Sequence, residues 1–122
     1  LEVTPADISV FADEGLLTQV VTYILKNAVY AVMHSAGTFD DKIAVLCTKS
    51  GNSVCIDIAN TGDEIPKELS DNIFVPFFTT KETGSGIGLS ISRQIMFRHG
   101  GSLSLISNKP GNVCFRVQLP AV

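Results

Sequence analysis

The 122-residue sequence predicts an α/β fold, a two-layer sandwich in which a mixed, mostly antiparallel sheet carries helices on one face. Three observations predict it. Two segments place apolar residues at helical spacing, two pairs of strand-like runs are joined by glycine-containing turns, and the elements follow one another as strand, helix, two strands, long loop, helix, two strands. With 45% hydrophobic and 17% charged residues the chain is a folded domain rather than a disordered one, and its length supports one core spanning residues 1–122.

Each element has its own signal. Ile8–Asp13 reads as a short strand, after which Asp13 caps a helix from Glu14 to His34 that Gly37 stops. Apolar residues cover most of that helix, so burial on more than one side is expected. Lys42–Ser50 and Ser53–Asn60 alternate as strands around Gly51-Asn52 and form a hairpin. Residues 61–85 are rich in Gly, Pro, Thr and charge, with a helical piece near Lys67–Asn72. A loop this long inside a compact domain is usually functional. Ile87, Ile91 and Ile95 then mark a helix over Ile87–His99, ended by Gly100-Gly101, and Ser102–Asn108 and Asn112–Pro120 pair through Pro110-Gly111.

Composition narrows the function classes. A net charge of −3 gives no electrostatic case for nucleic acid or for an anionic membrane. No apolar run is expected to reach the length of a membrane span and no signal-peptide pattern opens the chain, which begins at Leu1 and is expected to be part of a longer protein. Cys47, Cys55 and Cys114 form neither a disulfide framework nor a zinc site, and read as small buried hydrophobes in a reducing compartment.

Three stretches carry chemistry. Asn27, in "ILKNAVYA", sits beside the buried stripe of the first helix, where its amide either bonds a neighbouring strand or faces a ligand or hard cation. "TTKETGSGIGLS" brings Gly84, Gly86 and Gly88 into a helix start. It is either a phosphate cradle of backbone N–H groups with Lys81 beside it or a flexible hinge, and it is neither a P-loop nor a dinucleotide fingerprint. "IFVPFFTTK" places three phenylalanines in a polar loop, as a satellite core or as the hinge of a lid. Between them "ANTGDEIP" leaves a strand, as a turn or as a binding loop.

Together these pieces resemble the ATP-binding catalytic domain of sensor histidine kinases, in the superfamily shared with gyrase, Hsp90 and MutL. "ILKNAVYA" resembles its N box, "ANTGDEIP" its first glycine box, "IFVPFFTTK" its F box and "GSGIGLSISRQI" its second glycine box, in the family's order over Ile8–Pro120. The resemblance implies a Bergerat-like fold with a long ATP lid, ATP and Mg²⁺ as cofactors, and γ-phosphoryl transfer to a histidine. Asn27 would hold Mg²⁺ through its side-chain oxygen, Asn60 would face the adenine amino group, and Gly62 and Ile65 would lie against the base. Gly84, Ser85, Gly86, Ile87, Gly88 and Leu89 would cradle the phosphates, with Thr79, Thr80 and catalytic Lys81 in the lid.

Three positions depart from the pattern. Asn60 stands where the family usually has Asp, Glu64 where it usually has a second Gly, and Tyr23 where the ATPase branch has a catalytic Glu. Neither His34 nor His99 has the acidic neighbour of a phospho-acceptor, and both fall at predicted helix ends, where they suit the helix dipole. The implied partners are therefore ATP, a phospho-acceptor histidine domain of the same protein and, indirectly, a response regulator, with no nucleic acid. This part is expected to be monomeric, the full-length protein a homodimer, and the location cytoplasmic, as it would be for the inner part of a membrane-anchored sensor. The alternatives are a degenerate nucleotide-binding or scaffold module and a serine kinase of the anti-sigma type.

Overall fold

The computed structural model describes residues 2–4, 10–35, 39–75 and 88–121. Five strands form one sheet in the order β1-β2-β3-β5-β4: β1 is Glu2–Thr4, β2 Ile43–Ser50, β3 Ser53–Asn60, β4 Ser102–Lys109 and β5 Asn112–Pro120. The β2/β3, β3/β5 and β4/β5 pairs are antiparallel and β1 runs parallel to β2, so the expected mixed sheet is present. The strand expected at Ile8–Asp13 is not where the first strand lies. Within the described part of that segment Val10 makes only an isolated bridge to Ala121, and the strand is β1.

Two helices pack on one face. α1 spans Glu14–Met33, with the Asp13 carboxylate accepting from the Leu16 N–H and His34 closing its end. Gly37, the expected stop, lies outside the described residues. α3 spans Gly88–Arg98 and ends in a Schellman arrangement, with Gly100 at φ +74 and the Gly101 and Gly100 N–H groups bonding the Met96 and Phe97 carbonyls. Gly101 is also obligatory for packing, because a Cβ there would stand 2.0 Å from the Gln118 carbonyl oxygen. α2 is a single turn, Lys67–Ser70, opened by Pro66.

The alternation along the strands decides which face is covered. Val54, Ile56, Ile58 and Asn60 of β3 point inward with Leu119, Val117, Phe115 and Val113 opposite them on β5. Onto them α1 lays Val20, Ile24 and Ala28, one residue per turn, and α3 lays Ile95 and Met96. Each fully buried Val, Ile or Leu contributes about 1.5–3 kcal/mol of transfer free energy. The expected burial of α1 on several sides is only partly met: Val29 and Met33 are exposed, and the fully buried residues form one stripe. α1 also has, contrary to the sequence expectation, the length and apolarity of a membrane-crossing segment, but its buried stripe makes it a core helix here.

Polar contacts close the ends. The His99 Nδ1–H donates to the Ile95 carbonyl at 2.7 Å, so Nε2 is the acceptor for the Asp13 N–H at 3.1 Å, and one imidazole joins the end of α3 to the start of α1. On the outer sheet face Arg116 grips Asp57 bidentately at 2.8 and 3.0 Å, and that carboxylate holds the guanidinium above its ordinary range. Because Arg116 is 38% exposed, the pair is worth no more than about 1 kcal/mol. The cysteines are free, as expected, with Cys114 buried.

Replacing the cap tests the start of α1. Asp13→Ala should lower unfolding stability by about 1 kcal/mol, read as a shifted urea midpoint with an unchanged slope.

Candidate functional site

The cap at Asp13 fixes the phase of α1, and that phase turns two different faces to two neighbours. Val20, Ile24 and Ala28 meet the sheet, while Tyr23, Asn27, Tyr30, Ala31 and His34 line a cavity of about 360 Å³. The last five lie at i, i+4, i+7, i+8 and i+11, the spacing of one helix face. Opposite them, Asn60, Val113 and Phe115 form the floor, Ile65, Leu69 and Ile73 the far wall, and Leu89 the end nearest α3.

Asn27 is half-buried and faces this cavity. Its amide makes no hydrogen bond among the described residues, so of the two readings open from the sequence, the bond to a neighbouring strand is not the one observed. Asn60 is 6% exposed, and its Nδ2 donates to the Thr61 carbonyl at 2.8 Å. Ile65 and Leu89 line the cavity, and Asp63 and Glu64 are exposed at its rim.

Gly62 has a packing reason for being glycine. It is buried at φ +124, and a Cβ would meet the Ala31 carbonyl and Ser35 at 3.4 Å, so it lies packed under the end of α1 and does not line the cavity. Gly88 is glycine for a neighbour: a Cβ there would stand 1.9 Å from the Tyr23 ring, so the start of α3 and the wall of α1 touch through this residue. Thr79, Thr80, Lys81, Gly84, Ser85, Gly86 and Ile87 lie outside the described residues. Of the phenylalanines at 73–81, Phe74 pins its segment to the body, edge-on to Phe115 at 6.4 Å with the Arg93 guanidinium 4.4 Å above its ring. Phe77 and Phe78 lie outside the described residues.

Sequence reasoning missed the residues that hold the far wall. The Asn108 side chain accepts from the Ile65 N–H and donates to the Ile65 carbonyl, both at 2.8 Å, replacing a backbone ladder by one amide. Nothing in the Asn-Lys-Pro-Gly hairpin signals a partner 43 residues away. Tyr30 and His34, stacked at 4.0 Å, were also missed as wall residues, although their spacing from Asn27 signals a shared face. The His34 Nδ1–H donates to the Tyr30 carbonyl at 2.9 Å, so both histidine rings cap the ends of their own helices.

Burial pushes the Tyr23 phenol above its ordinary range, which keeps it protonated at neutral pH. Among the described residues no group of His, Cys, Asp and Glu is arranged to hold a metal ion. The cavity therefore offers apolar walls, one free amide on the helix side, one oriented amide on the floor and a neutral phenol.

Comparisons with known proteins agree on the architecture. The family described as "Histidine kinase-, DNA gyrase B-, and HSP90-like ATPase" matches residues 12–122. The sensor protein FixL of Bradyrhizobium diazoefficiens is 36% identical over 113 residues, covering 92% of this chain and 22% of that protein. The sensor histidine kinase ZraS of Escherichia coli is 34% identical over 110 residues, covering 89% and 22%. The chain thus spans about a fifth of the length of these relatives. Among solved structures, the nucleotide-free catalytic domain of histidine kinase ThkA superposes with a TM-score of 0.82 at 35% identity, covering 98% of this chain and 75% of that one. The mycobacterial sensor histidine kinase MprB gives 0.78 at 26%, covering 98% and 78%.

Two substitutions test the construction of the site. Gly88→Ala should destabilise the domain by about 1–3 kcal/mol, and Tyr23→Ala in the same chain should relieve most of that loss, measured as a double-mutant cycle in urea. Asn108→Ala, which frees both Ile65 backbone groups, should cost about 1–3 kcal/mol in the same assay.

Proposed function

The chain belongs to the histidine kinase-, DNA gyrase B- and HSP90-like ATPase family, and from its place as an ATP-binding catalytic domain of the sensor histidine kinase type we propose that it transfers the γ-phosphoryl group of ATP to a histidine carried elsewhere in the same protein. The observation that carries this reading is the cavity between α1 and the sheet, with Asn60 in its floor and Asn27 in its wall. In the proposal, the base lies over Val113 and Phe115 and against Ile65, and the Asn60 oxygen accepts from the adenine amino group.

Asn27 suits Mg²⁺, which takes few protein oxygens and completes its shell with phosphates and water. When bound, the ion would neutralise charge developing on the transferred phosphoryl group. Gly84, Ser85, Gly86, Ile87, Gly88 and Leu89 would supply the phosphate cradle, with Thr79, Thr80 and Lys81 in the lid. These roles follow from the sequence motifs. Tyr23 stands where the ATPase branch has a catalytic Glu, and a protonated phenol is no general base for water. The site therefore favours transfer to a docked histidine over hydrolysis.

The proposed partners follow from that chemistry. They are an acceptor histidine domain in the same protein, which would form the homodimer, a response regulator downstream, and a cytoplasmic setting that supplies ATP.

Calorimetric titration with a non-hydrolysable ATP analogue and Mg²⁺ tests the site. Wild type should bind with a Kd below about 1 mM, and Asn27→Ala should weaken Mg²⁺-dependent binding by about tenfold or more. No binding at millimolar nucleotide would favour the degenerate scaffold reading. With the full-length protein and γ-labelled ATP, an acid-labile, base-stable label identifies histidine, whereas an acid-stable label identifies the serine-kinase alternative.

A further inference from the structure

The amide of Asn60 is not free to turn. A backbone carbonyl only accepts, so the Asn60 atom 2.8 Å from the Thr61 oxygen is the amino group. Turning the amide over would set two acceptors against each other in a buried position.

The Thr61 carbonyl is itself fixed from both sides. The Thr61 N–H donates to the Lys42 carbonyl at 3.0 Å, its hydroxyl accepts from the Lys42 N–H at 3.0 Å, and the same hydroxyl donates to the Asp40 carbonyl. Just beyond it, Gly62 is packed under α1 and its carbonyl accepts from the Gly111 N–H at 2.8 Å.

This leaves Oδ1 of Asn60. It makes no hydrogen bond among the described residues, yet no buried side-chain polar atom among them lacks a partner. Oδ1 is therefore reached from outside the protein, and the cavity is what Asn60 lines.

Resting on the reading of this cavity as a nucleotide site, we propose that Thr61 is a positioning residue for base selection: by holding the Asn60 amide in one orientation it makes the floor an acceptor, which selects 6-amino over 6-oxo purines. An unrestrained asparagine is two-headed and would serve either base, donating to a 6-oxo group as readily as it accepts from an amino group. The restraint removes that ambiguity and lets a neutral amide act as an acceptor-only side chain. The 6-oxo base would meet Oδ1 with its own lone pairs.

The test compares ATP with ITP, which differs in carrying the 6-oxo purine, by calorimetry on this chain. Wild type should bind ATP at least about tenfold more tightly than ITP. Thr61→Val, which removes the hydroxyl clamp, should bring the two within about threefold, chiefly by improving ITP binding, whereas Thr61→Ser should keep the wild-type ratio. Asn60→Asp, whose carboxylate accepts through either oxygen, should restore the preference for ATP in the Thr61→Val background, a response that a purely structural role of Thr61 would not give. Equal affinity of wild type for ATP and ITP would overturn the proposal while leaving the nucleotide site standing, and so would a folded Thr61→Val with an unchanged ratio. Binding of neither nucleotide at millimolar concentration would overturn the site reading and this inference with it. Should Thr61→Val fail to fold, the wild-type ratio decides the orientation of Asn60 without it.

Discussion

The packing of Val20, Ile24 and Ala28 of α1 onto the inner faces of β3 and β5 is the contact on which the rest of the structure depends. A helix has a fixed angular relation between its faces, so seating one stripe determines where every other side chain points. Once those three residues are buried, Tyr23, Asn27 and Tyr30 have no choice but to face the space beside the core, and the cavity exists because the helix does not fill it. The same seating brings Tyr23 against Gly88 and so sets where α3 begins. Core and site are two consequences of one helical phase.

A second constraint acts on the segment leaving β3. Residues 61–65 have little regular structure, yet most of their positions are specified by partners remote in sequence: Thr61 by 40–42, Gly62 by Gly111 and the end of α1, Ile65 by Asn108. Backbone groups in a loop beside a cavity must find partners other than a ladder. Here they find amides and hydroxyls. The result is a wall as firmly placed as a strand would be, while its irregular path leaves room for a ligand.

Much of this was legible in the sequence, for identifiable reasons. β3 and β5 appear with the expected bounds because alternation and glycine turns are local signals, and α1 because Asp13 and the apolar period mark it within one residue at each end. Asn27 stood out as a polar group beside an apolar stripe, whereas Asn60 was singled out only through the resemblance of its stretch to the first glycine box. The first strand was misplaced because Ile8–Asp13 has the apolar character of a strand, whereas β1 at Glu2–Thr4 is defined only by its partner, Leu46–Thr48. Asn108 was invisible because its role depends on a residue 43 positions away. Gly62 and Gly88 were legible as special, but their packing against α1 was not: each is glycine partly because α1 passes close by, which only tertiary packing reveals.

The bulge in β4 has a consequence of another kind. The sheet order leaves β4 as an outer strand, and between Leu105 and Ser107 its register against β5 slips by one residue. A bulge twists a strand and breaks the even spacing of its outward backbone groups. A strand from a second copy would need that even spacing to extend the sheet, so the irregularity works against edge-to-edge growth. Crowding copies of the protein together thus brings them near one another without offering a continuous ladder to share. The slip of a single residue favours solubility over polymerisation.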